Sequence, residues 1–130
     1  MKTNKPDKTS LILHGHFYQP PRENPQTGLI GKQLTASPFP DWNERIHADC
    51  YKANSLSRYL SGVRRILSLT NNYKYLSFNF GPTLLSWMEK YHQNTYQLIL
   101  EADRLSKERL GFGNAIAQAY NHTILPLCTE

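Results

Sequence analysis

Three aliphatic residues, Leu11, Ile12 and Leu13, run straight into His14-Gly15-His16, and the chain then breaks into a loop locked by Pro20, Pro21 and Pro25. This order constrains the fold more than any other feature. It predicts a short buried strand, residues 10–14, opening an α/β domain and delivering side chains at its C-terminal end. Open α/β sheets and barrels hold their ligands at that end of their strands. The histidines are two apart, so both side chains leave one face of the strand, and Gly15 leaves the opposite face bare. Two imidazoles, Gln19 and Arg22 within nine residues of a strand exit point to a polar site.

A chain of 130 residues can bury the core of one domain but is short for a large enzyme. The net charge of +5 comes from 15 basic against 10 acidic residues. The basic side chains are scattered: Lys2, Lys5 and Lys8 at the start, Arg64 and Arg65 further on, then Arg104, Lys107 and Arg109. No stripe joins clustered Lys and Arg to stacking aromatics, which argues against a nucleic-acid surface. Cys50 and Cys128 have no metal or redox spacing, so a reduced, cytoplasmic setting is expected. The N-terminus lacks the apolar core of a signal peptide, and no apolar run reaches membrane-spanning length, so no membrane association is expected.

Residues 1–10 are polar and are expected to be disordered, leaving 11–130 as the folded part. Residues 15–50 hold many of the prolines and glycines and read as a long loop, of the kind usually kept for function. It ends in Asp41-Trp42-Asn43-Glu44-Arg45, hydrogen-bonding groups beside an indole, an arrangement suited to polyols. Leu56, Tyr59, Leu60, Val63, Ile66 and Leu67 recur at three and four, which predicts a helix over 55–70, capped by Asn54 or Ser55 and ended by Asn71-Asn72. Residues 74–80 alternate: Tyr75, Ser77 and Asn79 face one way, Leu76, Phe78 and Phe80 the other, as in a strand. Pro82 suits the first turn of the next helix. A further helix over 95–110 stops at Gly111, a third strand over 114–119 fits the βα alternation, and 123–127 can start another helix. The whole is a βα repeat with a mainly parallel sheet. Three strands leave such a sheet with open faces and edges, so the chain reads as the beginning of a larger fold.

The chemistry of His14 and His16 is open to three readings. They can be metal ligands completed by later residues such as His122, giving a metal-dependent hydrolase or deacetylase. They can hydrogen-bond a sugar or other polar substrate, or one can be a structural histidine. Asn79 and His122 close the second and third expected strands, so parallel strands would bring them to the same end. Asn79 is equally a turn residue before Gly81-Pro82, and His122 equally a surface residue. The acids nearest the site, Glu23, Asp41, Glu44 and Asp49, lie in or just after the loop rather than at strand ends. Glu101, Asp103 and Glu108 belong to a solvated helix. No serine elbow, phosphate loop, Cys–His nucleophile or dinucleotide fingerprint is present.

The phrase His14-Gly15-His16-Phe17-Tyr18-Gln19-Pro20-Pro21 resembles the opening H-x-H-x-x-Q-P motif of family 57 glycoside hydrolases. DWNERI (41–46), FNFGPTLLSWME (78–89) and GNAIAQAYNHTILPL (113–127) resemble the segments that follow it in the amylase-like branch. The resemblance runs from about Leu11 to Leu127. It implies an incomplete TIM-like barrel of seven βα units, of which this chain forms the first strands and helices. It implies retaining hydrolysis or transfer of α-glucans, through a Glu nucleophile and an Asp general acid, with no metal or cofactor. Both carboxylates would lie on later strands, beyond this chain, so no residue here takes a catalytic role. The residues expected to contact substrate are His14, His16, Gln19, Trp42, Asn79 and His122. The expected partner is a polysaccharide or oligosaccharide, and the fragment would need the remainder of the barrel. A non-catalytic, vestigial carbohydrate-binding role is the alternative from another class.

Overall fold

A computed structural model describes residues 9–128; most of the N-terminal stretch read as disordered lies outside the described residues. The first strand, β1, is His14–Phe17, and it pairs in parallel with β4, Ser77–Phe80. The register sets His14 against Ser77, Gly15 against Phe78, His16 against Asn79 and Phe17 against Phe80. Period-two alternation therefore puts His14, Ser77, His16 and Asn79 on one face. Phe78 and Phe80 point to the other, into a core of Tyr51, Tyr73, Leu84, Trp87, Met88, Ile99 and Ala102.

Two helices cover that core. Pro82–Tyr91 (α3) begins with Pro82 inside its first turn, and Gln93–Leu110 (α4) ends at Gly111, whose φ of 85° is the left-handed cap that glycine adopts without strain. The α4 end and the α3 start are where the sequence places them. Beyond α4 the chain returns to the sheet at one parallel bridge, Phe78 to Ala115. The third strand expected over 114–119 is reduced to that bridge, held by Phe78 N–H to Asn114 O and Ile116 N–H to Phe78 O. The fold is thus mixed α/β with a small, parallel sheet, and no closed barrel forms among the described residues.

Four expectations are corrected. The strand expected over 10–14 starts at His14, and Leu11 and Ile12 are not buried but 85% and 80% exposed. The expected helix over 55–70 is instead an antiparallel hairpin, β2 (Ser57–Leu60) and β3 (Ile66–Thr70). Its turn closes by Arg64 N–H to Ser61 O and Ser61 N–H to Arg65 O, with Arg64 in the left-handed region at φ 60°. A helix would have carried Gly62 in its interior, at about 1 kcal/mol, and in the hairpin Tyr59, Val63, Ile66 and Leu67 all remain exposed, so the stripe does not face the core. The expected loop over 15–50 is helical in its last part. Trp42–Ile46 (α1) runs through wider π-helical turns at His47–Lys52 into Ala53–Ser55 (α2). Asp41 starts it by accepting from Glu44 N–H at 3.0 Å. Residues 125–127 form only a short 3-10 turn. Among the described residues, no helix is long and apolar enough to cross a membrane.

Candidate functional site

The polar face of the β1–β4 pair continues as a row. His14 Nδ1 lies 2.9 Å from Ser77 Oγ, and Ser77 Oγ donates in turn to Leu13 O at 3.3 Å. The serine hydroxyl thus lies between His14 Nδ1 and the Leu13 carbonyl, able to donate to either or to accept from an Nδ1–H. One rung on, His16 Nδ1 lies 2.9 Å from Asn79 Oδ1. The same imidazole meets His122 edge-on through its other nitrogen, with Nε2 to Nε2 at 2.8 Å.

Parallel pairing explains the convergence. Both strands end at the same side, and the bridge at Ala115 sends the following residues to that side as well. There Asn79 Nδ2 donates to Gln118 Oε1 at 2.7 Å, and Gln118 Nε2 donates to the Phe80 carbonyl. Ala115 is fixed in turn by its N–H to Asp103 Oδ1 at 2.7 Å, so Asp103 anchors this segment instead of facing solvent alone. His122 has φ 54° on the turn after Ala119, a left-handed conformation that histidine tolerates better than most side chains. The Tyr18 ring packs edge-on against His122, centroids 4.4 Å apart, and lies nearly parallel to His16 at 6.3 Å. His16, Asn79, Gln118, Ala119, His122 and Thr123 line an open cleft of 170 Å³. At about 30 Å³ per water this is room for roughly six waters, the scale of one small polar ring rather than a buried cofactor.

His16, Asn79 and His122 thus meet, and His14 follows on the same row. Gln19 and Trp42 do not line the cleft. Gln19 Oε1 accepts from Arg22 at 3.4 Å, and its carbonyl accepts from Thr83 Oγ1 at 2.7 Å, tying the loop after β1 to α3. The Trp42 indole N–H donates to Thr35 Oγ1 at 2.9 Å, and Arg45 lies over its ring at 4.9 Å. Asp41 caps α1, and Asn43 is buried, so the 41–45 cluster organises a helix start. Sequence reasoning missed two members of the row. Ser77 had a signal, since it stands two before Asn79 just as His14 stands two before His16. Gln118 had none in the sequence, because its role depends on where the bridge places it.

Among the described residues, one group of three His, Cys, Asp or Glu brings a ligand atom from each within 4.8 Å of the others: Glu44, His47 and His92. Its donors are engaged with one another and with the fold. His92 Nε2 sits 3.0 Å from both Glu44 carboxylate oxygens, and His47 Nε2 sits 2.9 Å from Thr95 Oγ1. The imidazoles of His47 and His92 stack with centroids 3.7 Å apart and planes 26° apart. Lone pairs in near-parallel rings run side by side instead of converging at the roughly 2.0–2.1 Å that zinc requires. Burial, then the neighbouring His92 and Lys52, hold the His47 pKa down at about 4, so this imidazole is neutral and packs the π-helical turns against the start of α4. His14, His16 and His122 do not form such a group.

No family model, curated protein or solved structure matches this chain.

Proposed function

We propose that this chain is the N-terminal part of a retaining glycoside hydrolase or transglycosylase of the family 57 type, acting on α-glucan-type carbohydrate. It supplies substrate contacts, and the carboxylates that break and remake the glycosidic bond come from further strands of an incomplete (β/α)7 barrel. The observation that carries this reading is the polar row itself: His14 and His16 from one strand, Asn79 from its parallel neighbour and His122 from the third segment meet at one strand end. A ladder of imidazole and amide groups beside the Tyr18 ring offers both hydrogen-bond senses and an apolar face, which is what sugar hydroxyls and ring C–H groups need. Among the described residues, no Asp or Glu lines the cleft. Glycoside cleavage through a covalent intermediate needs two carboxyl groups about 5–5.5 Å apart, so the row is read as a substrate wall rather than a catalytic pair.

Two further features favour a larger barrel. Among the described residues, β1 pairs on one side only, and the other edge of the sheet carries a single bridge. Leu11, Ile12, Leu13, Ile116 and Tyr120, around those edges, are all exposed. Further strands would cover them. The metal-dependent reading has less support, since the three imidazoles do not gather around one point.

The test is a titration of the chain with a maltooligosaccharide, following the histidine ring signals by NMR while assaying reducing-end release. The expected result is saturable shifts at His14, His16 and His122 with no turnover. Absence of any shift at millimolar oligosaccharide overturns the carbohydrate reading. Turnover by this chain overturns the assignment of the carboxylates to other strands. Purification with near-stoichiometric zinc that His16→Ala abolishes would replace it with the metal-dependent reading. Glucan binding without turnover that persists when the remaining strands of the barrel are supplied would favour the vestigial, non-catalytic binding role.

A further inference from the structure

The row contains a chain of amides whose orientation can be settled from one end. Its anchor is the backbone carbonyl of Phe80, which can only accept. Gln118 approaches that oxygen with Nε2, so Gln118 Oε1 must face the other way. Asn79 Nδ2 lies 2.7 Å from Gln118 Oε1 and donates to it. Asn79 Oδ1 is then turned toward His16 Nδ1, 2.9 Å away, and can only accept. His16 Nδ1 must carry the ring proton, and Nε2 is left with its lone pair, pointing at the cleft and at His122. The 2.8 Å contact to His122 Nε2 requires His122 to be the donor. Reversing any one amide sets oxygen against oxygen at Phe80 or at Asn79, or N–H against N–H at His16. The whole sequence therefore turns together, and the carbonyl end decides which way.

We propose that Gln118 is a positioning residue: through Asn79 it holds His16 in the Nδ1–H tautomer and so aims the Nε2 lone pair into the cleft. Gln118 acts on His16 without touching it. The consequence for a ligand is specific. His16 Nε2 has a single in-plane lone pair, and His122 Nε2–H occupies it. A hydroxyl that binds His16 must donate its proton and must displace His122, which then swings away or turns its own acceptor to the ligand. One rung earlier, His14 Nδ1 meets the Ser77 hydroxyl, which can donate as well as accept, so no amide-like anchor sets the tautomer there. The importance of the cleft for sugars rests on the functional reading above, but the tautomer does not.

The experiment is a long-range nitrogen–proton correlation spectrum of the chain labelled in histidine, taken at about pH 8, where ordinary imidazoles are neutral. His16 is assigned by loss of its signals in His16→Gln. The wild-type protein should show His16 with a protonated Nδ1 and a bare Nε2, in excess over the other tautomer by about fivefold or more, the ratio that one net hydrogen bond supports. Gln118→Leu removes the anchor, frees Asn79 to turn over, and should bring the ratio below about twofold. Gln118→Glu loses the donor to Phe80 O, and its second oxygen must turn away from that carbonyl, but the carboxylate still accepts from Asn79 Nδ2 and should leave His16 in the wild-type tautomer. A purely structural role for Gln118 would move both variants alike. A wild-type His16 protonated at Nε2, or a folded Gln118→Leu protein with the wild-type ratio, overturns the proposal. If Gln118→Leu does not fold, the wild-type ratio together with Gln118→Glu decides it. An oligosaccharide titration that leaves the imidazoles unmoved would sink the carbohydrate reading and leave the tautomer standing.

Discussion

Lowering the pH from about 7 to about 5 should destabilise this chain through one buried imidazole, His47. Its side chain, on the π-helical turns after α1, is buried at 5% exposure against the start of α4. Burial first, and the charges of His92 and Lys52 second, take its pKa from the ordinary 6.5 down to about 4. In the unfolded chain the ring takes up a proton that the folded chain refuses. Stability tied to His47 is therefore complete above pH 6.5 and is lost as the pH falls toward 4. Between pH 7 and pH 5 the linkage relation with these two values gives a loss of about 2 kcal/mol. His47→Gln keeps a polar partner for Thr95 and removes the titration. The groups packed against His47, namely stacked His92 with its Glu44 partner, and Lys52, are kept in both proteins. The assay is urea unfolding of both proteins at each pH. With a slope of roughly 2 kcal/mol per molar, the wild-type midpoint should fall by about 1 M more than that of the variant. Equal falls would refute the claim that His47 is folded in its neutral state.

Three further substitutions report on the scaffold behind the row. A Cβ on Gly15 would sit 2.3 Å from the Phe17 ring, which is wedged among Tyr51, Tyr73 and Phe80, so Gly15→Ala should lose about 1–3 kcal/mol in a denaturant titration. Asp103→Ala removes the acceptor that pins Ala115 and should cost about 1 kcal/mol. Amide exchange should then speed up at Ala115 and Ile116 and not within α4. Buried Asn71 accepts from Tyr73 N–H at 3.1 Å and donates to Leu98 O at 2.7 Å, so Asn71→Ala strands groups at both ends and should lose about 2 kcal/mol by thermal or urea melts.

What the sequence made legible follows from how local each signal is. The alternation in Ser77-Phe78-Asn79-Phe80 is a two-residue signal, and it correctly separates a polar face from a core face. Pro82 and Gly111 mark helix limits through their own backbone restrictions, so those limits needed no tertiary context. The segment 56–67 misled because a spacing of three and four is evidence for a helix only if the stripe is buried. Here Tyr59, Val63, Ile66 and Leu67 are exposed, and Ser61-Gly62 closes a turn instead. Asp41-Trp42-Asn43-Glu44 carried a cap signal as well as a polyol-binding one, and the backbone used the cap. Gln118 was out of reach, since nothing in Ala117-Gln118-Ala119 says which strand the bridge at Ala115 will meet.

The geometry of the row also limits what can complete it. On two parallel strands in register, side chains two residues apart repeat at about 6.6 Å along the strand and 4.8 Å across. His14–Ser77 and His16–Asn79 fill two successive rungs, and Gln118 with His122 fills the next position across. Each amide or hydroxyl in the row spends its hydrogen bonds on an imidazole, another amide or a backbone carbonyl, which leaves His14 Nε2 and the His16–His122 contact as the groups facing outward. An acid or nucleophile added to this face from the same strands would have to displace one of the orienting groups and lose the tautomer control with it. On the proposed glycosidase reading, a reacting carboxylate would therefore be supplied from a strand added at the edge of β1 away from β4 or beyond the bridge at Ala115. There it can face the imidazoles across the cleft without entering their hydrogen-bond chain.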